Sequence, residues 1–343
     1  MTRAEANALI DTAPPASPGS VTLRGFDAEF QSLDQYIRVI TERIWEGRRI
    51  DDIYSYYSDP CIVETPLSVS TRIADVISGT RATLAMFPDR RLLAEEILVS
   101  GDDVGGFLSS HRIISPMTHA GSGSFGPATG KRVHARTIAD CVCRDNRIIH
   151  EWLVRDHAAI ALAIGSTPKA LAERWLAERG GWNKPVAGPA PSGYVSEISA
   201  DPDARRYAES IASFAACRFD AIDGYDEAIH QISAGEQHHY GRSEAQRYWQ
   251  ALFAAFNADT FTVEHLATNR APNRPDRVAL RWRAQTTHVA REGSHRLFGS
   301  ATGNPVEILG INHAELIEGR VQREWVLVDE VALWMQLLSA QTK

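Results

Sequence analysis

Phe125-Gly126-Pro127-Ala128-Thr129-Gly130 returns as Phe298-Gly299-Ser300-Ala301-Thr302-Gly303, 173 residues further along the chain. The same displacement carries Glu151-Trp152 onto Glu324-Trp325 and Asp156 onto Asp329. Upstream, a displacement of 169 carries Phe87 onto Phe256, Glu95 onto Glu264, Arg112 onto Arg281 and Thr118-His119 onto Thr287-His288. The four-residue difference is a loop insertion between His288 and Phe298. An ordered series of matches in two constant registers marks an internal duplication. Its period is that of a duplicated globular domain and not of a solenoid, whose repeats run to roughly 20–50 residues. The expected organisation is a Pro/Ala/Ser-rich disordered arm over 1–24 and a first domain over 25–165. A connecting helix and linker follow over 166–200, then a second domain over 201–343.

A length of 343 residues suffices for two domains, each with its own core. The 44% hydrophobic and 23% charged residues are those of a globular chain. With a net charge of −7 and no Lys/Arg cluster, neither nucleic acid nor an anionic membrane surface is an expected partner. Residues 1–20 lack a basic start followed by an apolar run, and no stretch reaches the roughly 18 apolar residues that span a bilayer. Cys61, Cys141, Cys143 and Cys217 form no C-x-x-C pair and are unmatched between the copies, as expected of reduced thiols in a cytoplasmic protein.

Ser32-x-x-Gln35 reads as a capping box opening a helix with Leu33, Ile37, Ile40 and Ile44 on one face. A short helix over 50–57 and a third over 80–87, ended by Pro88, follow. The period then changes, and strands are expected over 93–99, 106–114, 133–143 and 148–157. The second copy repeats the order, with helices opened by Asp201-Pro202 and Ser243-x-x-Gln246 and strands over 261–267, 277–288, 305–316 and 320–330. Thr167-Pro168 starts the connecting helix and Gly180-Gly181 ends it. Helices followed by a sheet make an α+β layout.

Asp145-Asn146 reads as a two-residue hairpin turn, with Glu318-Gly319 in the same place of the second copy. Continued without a break, that register pairs His150 with Cys141, Trp152 with Ala139, Val154 with Thr137 and Asp156 with Ala135. Asp156 is then expected beside Trp152 and Val154 on a concave, largely apolar face. A carboxylate there has either a task or a partner.

At these residues the chain resembles the SnoaL-like polyketide cyclases, within the wider nuclear-transport-factor-2-like and ketosteroid-isomerase superfamily. The first copy carries Trp45-Glu46-Gly47, Phe87-Pro88-Asp89, Thr118-His119-x-Gly121, Phe125-Gly126-x-Ala128-Thr129-Gly130-Lys131 and Glu151-Trp152-x-x-x-Asp156, and the second a reduced set. The resemblance implies tandem cone-shaped domains, each a curved antiparallel sheet wrapped on three helices around a pocket. It also implies acid/base chemistry beside a substrate carbonyl, without metal or organic cofactor, with Asp156 as the acid/base and Asp329 as its counterpart. The chain departs from the pattern at Glu64, where many relatives carry a histidine.

The remaining candidates are weighed from the residues. His111 is replaced by Leu280 in the second copy and is a pocket candidate; His119 recurs as His288. With Asp156 these are the catalytic set, whereas Glu64, Trp45, Tyr57, Trp152 and Arg112 are expected to line the substrate site. Arg112, kept as Arg281, also reads as a structural partner of Glu95, and Asp156 as a helix cap. The second-copy counterparts are Asp329, His288 and Trp325. His238-His239 with Glu236 lacks metal-ligand spacing, so no metal is expected. The leading expectation is a cofactor-independent lyase or isomerase (cyclase, isomerase or dehydratase) acting on a small or medium apolar carbonyl compound, with the first copy active. The alternative is a non-catalytic tandem pocket protein for an apolar small molecule. The outer sheet faces, with Leu153 and Ile138 on one and Val326 and Ile311 on the other, are expected to pack together as an intramolecular pseudo-dimer, which leaves further homo-oligomers open.

Overall fold

The structure is a computed structural model and describes residues 23–186, 188, 191, 194, 196–289 and 295–339. The arm expected over 1–24, except its last two residues, lies outside them, as do parts of the linker and of the loop inserted after His288.

Helix α1 (Leu33–Thr41) begins where Ser32 Oγ accepts the Gln35 N–H at 3.1 Å, and buries Leu33, Tyr36, Ile37 and Ile40. The 50–57 segment is a 3-10 turn and a short α-turn, and Tyr57 already opens a strand. Helix α2 (Ile73–Met86) starts seven residues before its expected beginning, because Ile73 and Ile77 already bury one face. Gly79, which makes the stretch look broken, lies exposed with open space around it. A glycine there costs only about 1 kcal/mol.

The first sheet comprises β1 (Tyr57–Thr65), β2 (Ser68–Ser70), β3 (Leu93–Asp102), β4 (Gly106–Thr118), β5 (Arg132–Arg144) and β6 (Arg147–Arg155), in the order β2-β1-β6-β5-β4-β3. Helices α3 (His157–Ile164), α4 (Pro168–Arg179) and α5 (Pro202–Ala215) lead to the second copy. There β7 (Tyr225–Ser233), β8 (Gln237–Tyr240), α6 (Arg242–Ala255), β9 (Phe256–Asn269), β10 (Asp276–His288), β11 (Pro305–Ile317), β12 (Arg320–Val328) and α7 (Glu330–Leu338) give the order β8-β7-β12-β11-β10-β9. The two topologies are identical. Each sheet is mostly antiparallel, as expected, with one parallel pair: β1 runs parallel to β6, and β7 to β12. The intervening chain of each domain supplies the long connection that parallel neighbours require.

In each domain the helices fill the concave face. Tyr36, Ile37, Ile40 and Ile44 meet Ile97, Phe107, Ala139, Cys141 and Leu153 in the first. The second packs Phe214, Trp249, Phe253 and Phe256 against Leu280 and Trp282.

The β5–β6 hairpin contains the principal correction. Asp145 and Asn146 have φ of 48° and 62°, the doubly left-handed turn expected of a two-residue loop. Arg144 faces Arg147 and Cys143 faces Ile148, but Val142 then faces His150, leaving Ile149 as a bulge. One extra residue reverses every later side chain. Glu151, Leu153 and Arg155 therefore share the concave side, and Trp152 and Val154 the outer one. The second copy has the same bulge, between the Leu316–Val321 and Glu315–Arg323 pairs.

The outer faces pack against each other. Ile138 and Val154 meet Leu309, Ile311 and Leu327, so Leu153 and Val326, expected on this seam, instead lie inside their own cones. The Arg112 guanidinium lies 3.5 Å from the Trp325 ring centroid, and Arg281 lies 3.6 Å from that of Trp152. Residues preserved in both copies thus make one contact twice, in opposite directions. Between these stacks Arg281 Nη1 donates to Asp140 Oδ2 at 2.6 Å, and Ser110 Oγ donates to Asp140 Oδ1 at 2.5 Å. His313 joins the network, with Nε2 2.8 Å from Ser110 Oγ and Nδ1 3.2 Å from Arg112 Nη1. Burial, and then the Arg112 charge, hold His313 well below the ordinary histidine range, so it is neutral.

Candidate functional site

The repeated Phe-Gly-x-Ala-Thr-Gly stretch is a loop folded over a histidine. Thr129 and Gly130 donate their N–H groups to the His119 carbonyl, and His119 Nδ1 lies 3.2 Å from Thr129 Oγ1. His288 and Thr302 repeat the side-chain contact at 3.1 Å. Gly126, Gly130, Gly299 and Gly303 all have positive φ, which is why glycine recurs there. His119 and His288 are therefore anchors of their loops.

In the first domain this loop, α2 and α3 leave the mouth of the cone open. Phe125 stands edge-on to Phe87 at 5.6 Å and to Trp175 at 5.5 Å. Behind them lies a cleft lined by Phe87, Met117, Phe125 and Ile160 among apolar residues and by Arg90, Ser115, Arg155, Asp156 and His157 among polar ones. In the second domain the residues in register with Ile113 and Thr137 are Trp282 and Gly310. A Cβ on Gly310 would stand 2.2 Å from the Trp282 ring, so the missing side chain lets the indole lie across the cone. Ser115 and Arg155 are replaced there by Ala284 and Val328, both buried in the apolar core.

Asp156 reaches this cleft from the end of β6. Its Oδ1 accepts from Ala159 N and Gly235 N at 2.8 Å, and its Oδ2 accepts from Gly235 N at 2.9 Å and Glu236 N at 3.2 Å. It therefore caps α3 and holds the β7–β8 turn of the other domain. Burial pushes its carboxyl up to about 6, against the lowering effect of those N–H groups. Asp329 caps α7 in the same way and takes His157 Nδ1 at 2.7 Å with Oδ2. This His–Asp pair crosses the domain boundary and fixes which ring nitrogen is engaged. Nε2 is the one left for other partners.

Of the residues expected at the site, only Asp156 lines the cleft. His111 is buried on the concave face beside Ile97 and Ala139, its Nε2 without a partner among the described residues and its pKa pushed down to about 3 by burial. Tyr57 donates to Glu151 Oε2 at 3.3 Å in the closed interior, and Trp45 packs against that core. Glu64 accepts from His150 Nε2 at 2.8 Å and lies 3.5 Å from Arg283, beside the seam. Trp152 and Trp325 lie on the seam because the bulges turn that face of β6 and β12 toward the other domain, and Arg112, on β4, stacks on Trp325 there. Arg90, Ser115, Arg155 and His157 were missed. None of them carries a signal in the sequence, and the apolar helix that begins at His157 shows no period to mark it. Among the described residues, no group of three His, Cys, Asp or Glu side chains is placed to hold a metal ion, and no helix is long and apolar enough to cross a membrane.

The comparisons with known proteins follow the same two halves. Among solved structures the chain is similar to wild-type IdmH from Streptomyces antibioticus, at 18% identity over 38% of this chain and 97% of that one, with a TM-score of 0.34. It is also similar to a SnoaL-like polyketide cyclase from Agrobacterium tumefaciens, at 19% identity over 40% of this chain and 100% of that one, with a TM-score of 0.33. No match was found among curated protein sequences. A family model described as SnoaL-like polyketide cyclase matches residues 36–164 and again 205–337. With that match repeated over most of its length, the chain belongs to the SnoaL-like polyketide cyclase family.

Proposed function

We propose that the first domain is a cofactor-independent lyase or isomerase that moves a proton beside the carbonyl of a small, largely apolar substrate, with cyclisation, isomerisation or dehydration as the outcome. The observation that carries this reading is the pair of adjacent titratable groups, Asp156 and His157, on the wall of one cleft that is apolar on its other side. His157 is the base. Asp329 holds Nδ1, so Nε2 can take the proton from the carbon next to the carbonyl and return it later. Asp156, its oxygens engaged by backbone N–H groups, positions α3 and with it His157. The second domain, its cone crossed by Trp282, supplies the orienting carboxylate and no second active site. The seam takes the place of a partner chain, and the protein works in the cytoplasm with its thiols reduced.

A pocket protein without catalysis is the second reading, favoured by the full engagement of Asp156. Exchange of α-protons of simple β-keto esters into D2O, followed by NMR, separates the two without knowledge of the natural substrate. His157→Gln should slow catalysed exchange by about 10²–10⁴-fold. Loss in Asp156→Asn with retention in His157→Gln would move the base to Asp156. Exchange no faster than without protein would leave only the pocket protein.

A further inference from the structure

Two guanidinium groups line the same cleft without an ion pair to any carboxylate among the described residues: Arg90, which is buried, and Arg155, which is partly so. Arg90 is 6% exposed, and its side chain makes no hydrogen bond or ion pair among the described residues. Arg155 Nε and Ser115 Oγ, both on the concave wall of the cleft, are buried without a partner among the described residues. On the seam, buried Arg281 is neutralised by Asp140 and Glu264 and buried Arg112 by Glu95, and in the cleft itself the partly buried Arg136 is neutralised by Glu95 and Glu236.

Glu46 attracts Arg90, and Glu151 and Asp329 attract Arg155, from beyond ion-pair distance, and each of these carboxylates is already engaged. Glu46 binds Arg91 Nε and Leu92 N, Glu151 takes the Tyr57 hydroxyl, Asp329 holds His157 and the start of α7, and Asp156 is held by backbone N–H groups. Arg48 adds a third positive group, spending its donors on the carbonyls of Pro88 and Arg90. Burial first, then repulsion from Arg155 and Arg48, pushes the Arg90 guanidinium down to about 9. Buried cations persist when something pairs with them, and a guanidinium fork fits a planar oxyanion. The other walls are Phe87, Met117, Phe125 and Ile160, which suit a hydrocarbon body.

We propose that Arg90, Arg155 and Ser115 form a carboxylate-binding subsite, so that the cleft takes an apolar organic acid anchored by its carboxylate. This deepens the reading given above, since it names the substrate class of the same cleft. A substrate held in this way presents the rest of its skeleton toward His157.

The test is calorimetric titration of the full chain with octanoate and 2-naphthoate, against octanamide, 2-naphthamide and inorganic phosphate. The acids should bind wild type at least about tenfold more tightly than their amides. Arg90→Met and Arg155→Met should each weaken the acids about 10-fold to 100-fold, the range of a charge-assisted hydrogen bond. The melting temperature without ligand should hold or rise, because an uncompensated buried charge has been removed. Arg155→Lys, which keeps the charge and loses the fork, should weaken binding less and covers the case of a methionine variant that does not fold. Amides binding as well as acids, undiminished binding in the arginine variants, phosphate alone binding, or no acid binding wild type would each overturn the subsite. His157→Gln should bind the acids as wild type does while losing exchange activity, so failure of the base and failure of the subsite give different results.

Discussion

Removing Asp140 should destabilise the chain more than removing any other single seam contact. Its side chain is 1% exposed and that of Arg281 is 2% exposed, at a separation of 2.6 Å. In Asp140→Ala the guanidinium keeps Glu264 at 3.1 Å and the face of Trp152, but loses its only fully buried counter-charge. Ser110 loses its acceptor at the same time. Breaking a buried pair from one side costs about 3–5 kcal/mol, and the surviving Glu264 contact places this case near the lower end. Replacing both partners, as Asp140→Leu with Arg281→Met, removes the orphaned charge and should cost less than about half as much. Urea unfolding followed by tryptophan fluorescence and far-UV circular dichroism together is the assay; the two signals must coincide for a two-state free energy. A loss below about 1 kcal/mol in the single variant, or a double variant worse than the single one, would refute the reasoning.

Other outcomes follow from burial and titration. The folded Asp156 carboxyl, at about 6, lies above its unfolded value of about 3.9, so the native state keeps a proton that the unfolded chain has released. Stability should therefore fall as pH rises from about 4 to 6, by up to roughly 3 kcal/mol, relative to Asp156→Asn measured alongside; a difference that stays flat or grows would contradict the assignment. Burial pushes the Cys61 thiol up to about 12 and raises those of Cys141 and Cys143. An aromatic disulfide reagent should label only Cys217 quickly in the native protein and all four cysteines after denaturation; rapid labelling of three or more in the native state would show that the core around Cys61, Cys141 and Cys143 is not closed.

Much of this architecture is legible in the residue order. The duplicated Phe-Gly-x-Ala-Thr-Gly stretch fixes two like domains, Ser32 and Pro88 mark helix ends, and Asp145-Asn146 gives the turn its type, because each rests on local backbone chemistry. The site is less legible. The bulge at Ile149 leaves no mark in composition or period, yet it decides that Trp152 meets the other domain and Arg155 the cleft. His157–Ile164 is apolar on nearly every side, being packed between both domains, and shows no helical period. With that helix hidden, Asp156 reads as a strand residue facing a pocket rather than as a cap. Arg90 and Ser115 become informative only when the groups that could have paired with them are seen to be engaged elsewhere.

The seam contact that is made twice is not made twice with the same residues: Arg281 meets Asp140, whereas Arg112 meets a neutral His313. A dimer of identical chains cannot do this, since any change on one side appears on the other as well. Joining the halves in one polypeptide breaks that symmetry and lets them evolve apart. The Trp282–Gly310 arrangement would close both cavities of a symmetric ancestor; here it closes one. The freedom to rigidify one half while leaving its neighbour open is a consequence of the covalent link itself.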